Sequence, residues 1–359
     1  MTGGAGGSGG VISVVLPFRD PGEMLPRALD QLDTLREVAG DRLEIVLVDD
    51  GSAGRPGDGS GETADAWASA RRNVTVTGTD AAAGGGVAAA RDAGILAAHG
   101  DYIWMVDCDD RILPEITGPV LRVLDAADPV DMVCFRASVV EPGGRTRRVD
   151  GAPGRRQRTL DRSRLAVALL DGTVRGYLWS KVIRRSVLLR ILDDYPHTTS
   201  QSDFMTVLSC VPLLGRTVLL PQTGYRYLQR EGSISTTDTR QVANTARCAD
   251  LALELLPPLV PGQLRAAVLR ASFRVWFHIV PCCATPVHQG WPEDRVWEVH
   301  RTLGPMTGFR GIIGAAVTGH LREAAHALVF GALGPLGWYP PVYRAGRTVL
   351  SRMGRRRRP

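Results

Sequence analysis

From residue 11 onward, short apolar runs alternate with segments of helical period. Strands are expected at 11–16, 43–48, 73–77 and 102–106, nearly all of them apolar on both faces, as strands covered by helices on either side are. Between them, 22–39, 61–71 and 86–98 read as helices. That alternation predicts βαβ units and a parallel sheet. The stretch 51–61, GSAGRPGDGSG, has the composition of a loop. Past residue 114 the rhythm changes. A helix over 114–127 and a strand over 130–140 precede an arginine-rich, turn-prone stretch at 141–158. Helices follow at 160–170, 184–192 and 202–214, then a short strand at 218–220 and a polar segment at 225–236. The sheet is thus expected to acquire antiparallel partners. From 239 the pattern is helical, over 239–257, 261–280, 320–333 and 341–353.

Three spans follow from this rhythm: a flexible tail over 1–10, an α/β domain over 11–236 and a helical region over 237–359. A hydrophobic fraction of 44% and a charged fraction of 22% are ordinary for a globular protein, which favours neither general disorder nor full membrane embedding. The net charge of +6 rests on arginine, because Lys181 is the sole lysine. Arginine suits nucleotide phosphates, anionic lipid and nucleic acid alike. The six cysteines form no CxxC pair, so a zinc site is not expected. Their apolar surroundings read as reduced thiols on the cytosolic side. The start, MTGGAGGSGG, lacks the basic and apolar regions of a secretory signal.

The polar residues gather where the strands end. The first strand runs into Pro17-Phe18-Arg19-Asp20, the second into Asp49-Asp50-Gly51-Ser52 and the fourth into Asp107-Cys108-Asp109-Asp110. In an open parallel sheet those carboxyl ends form the ligand-binding edge. Carboxylates crowded there repel unless a cation sits among them. Asp107 and Asp109, two apart in extended chain, project to one side and suit Mg²⁺ or Mn²⁺ with positions left for phosphate. The alternative is that these acids cap helices and solvate loops. The glycine-rich segment 84–94, GGGVAAARDAG, opens the helix before the fourth strand. It could bring backbone and Arg91 to a diphosphate, or simply permit close packing.

Six blocks in order carry a resemblance: VISVVLPFRD, EIVLVDDGS, GGGVAAARDAGILAAHGDYIWMVDCDD, YLWSKVIRRSVL, SDF and YRYLQREGSIS. Over roughly residues 11–236 the chain resembles the inverting family 2 glycosyltransferases of the GT-A fold. The resemblance implies a Rossmann-like α/β sheet that binds a nucleotide sugar, with helices on both faces and a mainly helical region after it. It implies that Asp49 and Asp50 hold the base and ribose of a nucleotide-diphosphate sugar, UDP being the expected nucleotide, and that Arg91 meets the diphosphate. Asp109 would be the principal ligand of Mn²⁺ or Mg²⁺, with Asp107 near the ribose or a metal-bound water. Pro17, Phe18 and Asp20 fall in the block beside the nucleotide, and Trp179 and Lys181 in one beside the acceptor. Arg226 and Arg230 either meet the pyrophosphate from a closing loop or are solvated. Asp203 would be the general base toward an acceptor hydroxyl; the alternative is a solvated aspartate at a helix N-terminus. The chain departs from the family pattern with Phe18-Arg19 for Tyr-Asn, Gly84 for Asn and Ser202 for the first acid of Glu-Asp.

The expected reaction is metal-dependent, inverting transfer of a sugar to a hydroxyl of a glycan or other acceptor, in the making of cell-surface or cell-wall polysaccharide. A scaffold protein that keeps the fold without turnover is the alternative, with a nucleotidyltransferase behind it. Residues 320–353 mix apolar segments with Arg322, Arg344, Arg347 and Arg352, ahead of the run Arg355–Arg358. No stretch there is long enough to span a bilayer. Trp338, Tyr339 and Tyr343 beside arginines suit the headgroup region of an anionic membrane, so a peripheral place on the cytoplasmic face is one expectation. A packed helical appendage with a disordered basic end is the other. No nucleic-acid module is recognisable.

Overall fold

Nearly unbroken runs of branched aliphatic residues make β1 (Ile12–Phe18) and β2 (Leu43–Asp49) buried along almost their whole length. The computed structural model describes residues 10–52, 59–79, 85–141, 144–149, 155–230 and 240–345. Helix α1 (Met24–Ala39) lays Leu25, Leu29, Leu32 and Leu35 into the core. That spacing gives one apolar stripe, and each buried leucine contributes about 1.5–3 kcal/mol. α2 (Ser60–Ser69), β3 (Val74–Gly78), α3 (Gly86–Ala97) and β4 (Tyr102–Met105) complete the βαβ series.

Gly94 on α3 lets this helix lie against β1 and β2: an added Cβ would come within 2.2 Å of a Val15 methyl and 3.1 Å of one on Val48. β5 (Arg111–Ile112), α4 (Thr117–Leu124), β6 (Met132–Val140), β7 (Thr146–Val149), β8 (Arg158–Asp161) and α5 (Arg162–Leu170) follow, then β9 (Lys181–Arg184), α6 (Arg185–Leu189), α7 (Ser202–Cys210) and β10 (Arg216–Leu228). The sheet order is β3-β2-β1-β4-β9-β6-β10-β5, with β7 on β6 and β8 on β10. β3, β2, β1 and β4 are mutually parallel, and β9 enters antiparallel between β4 and β6.

β10 is far longer than the strand expected at 218–220. Its register against β6 shifts between Leu219 and Thr223 and again before Tyr225, next to Pro221, whose missing N–H suits an irregular position. Past that irregularity the strand continues, and its second half pairs with β5. β9 had no separate signal. Its four residues KVIR begin and end on a cation, so a short central strand reads as the approach to the helix that follows.

The chain divides into two compact units, Met1–Leu165 with Thr173–Ser233, and Ala166–Gly172 with Ile234–Pro359. The first holds the sheet. The second is helical: α8 (Gln241–Leu255), α9 (Gln263–Phe273), α10 (Val280–His288), α11 (Glu293–Leu303), α12 (Phe309–Val317) and α13 (Leu321–Leu333). A π-helical turn over Arg274–Ile279 joins α9 to α10. It widens the helix just before Pro281, a residue that cannot donate to the ordinary ladder. The helix expected to stop at 280 therefore runs on to His288. The unit's core gathers Ile279, Cys283, Leu303, Phe330 and Tyr339. No described helix is long and apolar enough to cross a membrane.

Candidate active site

The carboxyl ends of β1, β2 and β4 lie side by side, because β1 pairs with both of the others in parallel register. The acids expected there take different environments. Asp50 is buried and binds the start of α3: one carboxylate oxygen accepts from Gly85 N at 2.7 Å and Thr79 Oγ1 at 2.9 Å, the other from Gly86 N at 3.1 Å. A carboxylate at a helix N-terminus meets unsatisfied N–H groups and the positive end of the dipole. Asp49 turns back to accept from Ser52 N at 2.7 Å. Phe18 is packed into the core, while Asp20 adopts a positive φ of 45° and donates its backbone N–H to Ser52 Oγ at 3.0 Å. The expected position Gly84 lies outside the described residues.

Arg91 is the centre of the site. Its guanidinium is buried, with Nη1 2.5 Å from Asp203 Oδ1 and 3.1 Å from Ser202 Oγ, and Nη2 3.3 Å from Asp107 Oδ1. Burial alone would lower its pKa, but Asp203 and Asp107 together raise it. Arg91, expected at the diphosphate, thus ties the end of β4 to the N-terminus of α7. Ser202, where the family pattern has an acid, supplies the neutral oxygen Arg91 needs. Asp203 is also held from its second oxygen by Leu178 N at 3.2 Å.

Burial pushes the Asp107 carboxyl up to about 6, against the pull of Arg91 and with help from Asp203 and Asp109. Asp110, also buried, is pushed well above the ordinary range by desolvation and then by Asp107 and Asp109. Its Oδ1 accepts from Leu228 N at 2.8 Å. Asp109 is half-buried, and its carboxylate is paired with Arg230. Arg226 is exposed on β10, opposite Arg111 of β5.

Trp179 is buried in an aromatic ladder, stacked on Tyr177 with ring centroids 4.6 Å apart and on Tyr225 at 4.9 Å. The Tyr225 hydroxyl accepts from Asp107 N at 3.0 Å, which couples the ladder to the acids. Lys181 is buried below it and donates from Nζ to Tyr177 O at 2.7 Å. Tyr225 and Tyr177 were absent from the residues expected by sequence. Tyr225 had no signal in the sequence, because it opens a polar segment, and its burial follows from the continuation of β10 past Pro221.

A model described as glycosyl transferase family 2 matches residues 13–192, just over half of the chain, and takes in β1, Arg91, the β4 acids and Trp179. The chain belongs to glycosyl transferase family 2. Among curated relatives, the putative glycosyltransferase EpsH of Bacillus subtilis is 34% identical over 158 residues, which is 44% of this chain and 43% of that protein. Glycosyltransferase GlyG of Streptococcus pneumoniae is 38% identical over 102 residues, 28% of this chain and 31% of its own. The matched segment thus spans less than half the length of these curated relatives. Among solved structures, S. aureus TarS 1–349 in complex with UDP aligns over 91% of this chain and 92% of its own, with TM-score 0.63 and 15% identity. At that identity the likeness is one of fold: a GT-A-type sheet followed by helices.

Proposed function

We propose that this family 2 member transfers a sugar from a nucleotide-diphosphate donor to an acceptor hydroxyl with inversion. The observation that carries the reading is the chain Asp107–Arg91–Asp203 around a buried guanidinium, which sets a carboxylate at a helix N-terminus beside the acids of the β4 edge. UDP is the proposed nucleotide; TarS, of the same fold, is known in complex with UDP and with UDP-GlcNAc. The proposed acceptor is a hydroxyl of a surface glycan, and the proposed workplace is the cytoplasmic face of a membrane.

Among the described residues no three acids, histidines or cysteines gather into a complete metal cage. Asp109 and Asp107 nonetheless offer hard oxygens, and three carboxylates fall within the four residues Asp107–Asp110. That donor set fits Mn²⁺ or Mg²⁺ completed by phosphate and water. Such an ion, when bound, would stabilise negative charge on the departing diphosphate. Asp203 accepts the proton of the acceptor hydroxyl at its carboxylate as the hydroxyl oxygen attacks the anomeric carbon. The bond from that carbon to the diphosphate breaks with its electron pair going to the diphosphate, and a single displacement inverts the carbon. Arg91 fixes the direction of the Asp203 carboxylate from behind. Arg230 gives up Asp109 and meets the diphosphate. Asp49 and Asp50 hold the edge to which base and ribose bind, Asp50 by anchoring α3.

Asp109→Asn tests this. In the unaltered protein UDP-sugars should raise Tm only with Mn²⁺ present. The variant should keep its own Tm, because an exposed ion pair contributes about 0–1 kcal/mol, and should lose both the Mn²⁺-dependent shift and transfer. An undiminished shift in the variant refutes the metal assignment.

A further inference from the structure

α12 and α13 are amphipathic in reverse. α12 buries Gly314 and Ala315, while Phe309 and Val317 are 74% and 67% exposed and Ile313 is exposed between them. Positions 309, 313 and 317 recur every four residues and line one face. α13 buries Ala324 and Ala327 along with Phe330, and exposes Leu321 and Leu328. A helix free to choose would turn its large side chains inward. α12 has no such freedom. A Cβ at Gly314 would stand 3.1 Å from Val268 O and 3.2 Å from Ser272 N of α9, so the glycine face is held against a neighbouring backbone. Large aliphatic and aromatic residues exposed on two successive helices mark a surface that something covers.

Charge identifies what covers it. Residues 304–359 contain nine arginines and a single acid, Glu323. That is +8, against +6 for the whole chain, so the first 303 residues carry a slight acidic excess of −2. Arg310 and Arg322 stand exposed on α12 and α13 themselves. Trp338, 64% exposed, follows α13 with its indole in solvent. Large aliphatics flanked by arginines and an outward tryptophan form the pattern of a helix pair lying in a bilayer interface. A second copy of the chain would bring this arginine set against itself, at an electrostatic cost.

We infer that the α12–α13 face is an interfacial membrane-binding surface, in which Phe309, Ile313, Val317, Leu321 and Leu328 enter an anionic lipid layer and Arg310 and Arg322 meet its headgroups. This deepens the membrane part of the proposed function and does not depend on the transfer chemistry. It also relocates the contact expected at Trp338, Tyr339 and Tyr343. Tyr339 is buried, with its hydroxyl on His326 Nε2 at 2.5 Å and Cys283 Sγ at 3.3 Å. Removing residues 337–359 would therefore cut into the core of the helical unit, and the test needs the full chain.

The experiment compares the full-length protein with Phe309→Ser/Ile313→Ser/Val317→Ser, whose altered positions are exposed, in flotation with phosphatidylglycerol-containing and with pure phosphatidylcholine vesicles. UDP-sugar hydrolysis is measured on both proteins as a separate readout of the donor site. The unaltered protein should float with the anionic vesicles, and the variant should partition at least about tenfold more weakly with its arginines and hydrolysis unchanged. Equal flotation of the two proteins overturns the inference. So does a lipid-free dimer, seen by sedimentation equilibrium, that the triple substitution dissociates, because the face is then covered by a second copy. Absence of hydrolysis in both proteins with flotation as expected refutes the enzymatic reading and leaves this one standing.

Discussion

Arg91 and Asp203 touch, yet their substitutions should fail in different ways. Arg91→Met leaves Asp107 and Asp203 facing each other without the buried cation that joins them. Breaking a buried pair in this way costs about 3–5 kcal/mol, so the expected result is a large fall in the urea midpoint of the sheet unit. Asp203→Asn keeps one acceptor oxygen for Arg91, gives up the bond from Leu178 N, and removes the proton acceptor. It should leave donor binding intact and lower kcat by about 10²-fold or more. Equilibrium unfolding and single-turnover transfer on the two variants separate the roles. A stable Arg91→Met protein with weakened donor binding would return that arginine to the diphosphate. The sequence marked Arg91 and Asp203 as site residues through their blocks. It could not show them in contact, because residues 112 positions apart meet only once α7 is brought to the end of β4.

At the scale of elements, the close approach of α3 to the sheet places Arg91. The arginine sits one turn before Gly94, and that glycine is the point of nearest contact with Val15. Gly94→Ala gains helix propensity of up to about 1 kcal/mol. The methyl must nevertheless displace Val15, and overpacking of a filled core costs about 1–3 kcal/mol. The net effect should be a lower unfolding midpoint together with reduced transfer, since α3 carries Arg91 with it as it moves. Unchanged stability would show that the helix can shift without penalty. The four parallel strands and the helices between them were legible in the sequence because each is a whole period of one pattern. β9 and the second half of β10 were not, since the first is very short and the second continues past a proline through a shifted register. α11 and α12 were not legible either. α11 has a polar composition around Val296, His300 and Leu303, and α12 hides its packing face in glycine and alanine.

For the molecule as a whole, acid should act in opposite directions on the two units. In the helical unit, burial lowers the pKa of His278, His300 and His326 below the ordinary 6.5. The unfolded chain binds protons there that the fold refuses, so stability present above that pH is lost as pH falls through it. In the sheet unit, Asp107 is raised to about 6 and Asp110 well above the ordinary carboxylate range. The fold favours their protonated forms, so these groups add stability as pH drops from 6 toward the ordinary carboxylate value of 3.8. Calorimetry in the absence of metal should show the transition of the helical unit moving down, relative to that of the sheet unit, from about pH 7 to about pH 5. Parallel movement of the two transitions would count against the buried histidines as its cause.

The buried Lys181 gives the protein an unusual chemical simplicity. With one side-chain amine in the whole chain, and that amine enclosed on a strand at the middle of the sheet, an acylating ester has a single internal target that it can reach only when the strand parts from its neighbours. The rate at which this amine becomes labelled is therefore a clock for opening of the sheet. Its slowing by a saturating sugar nucleotide would report, in one mass-spectrometric peak, how firmly an occupied site closes the structure around it.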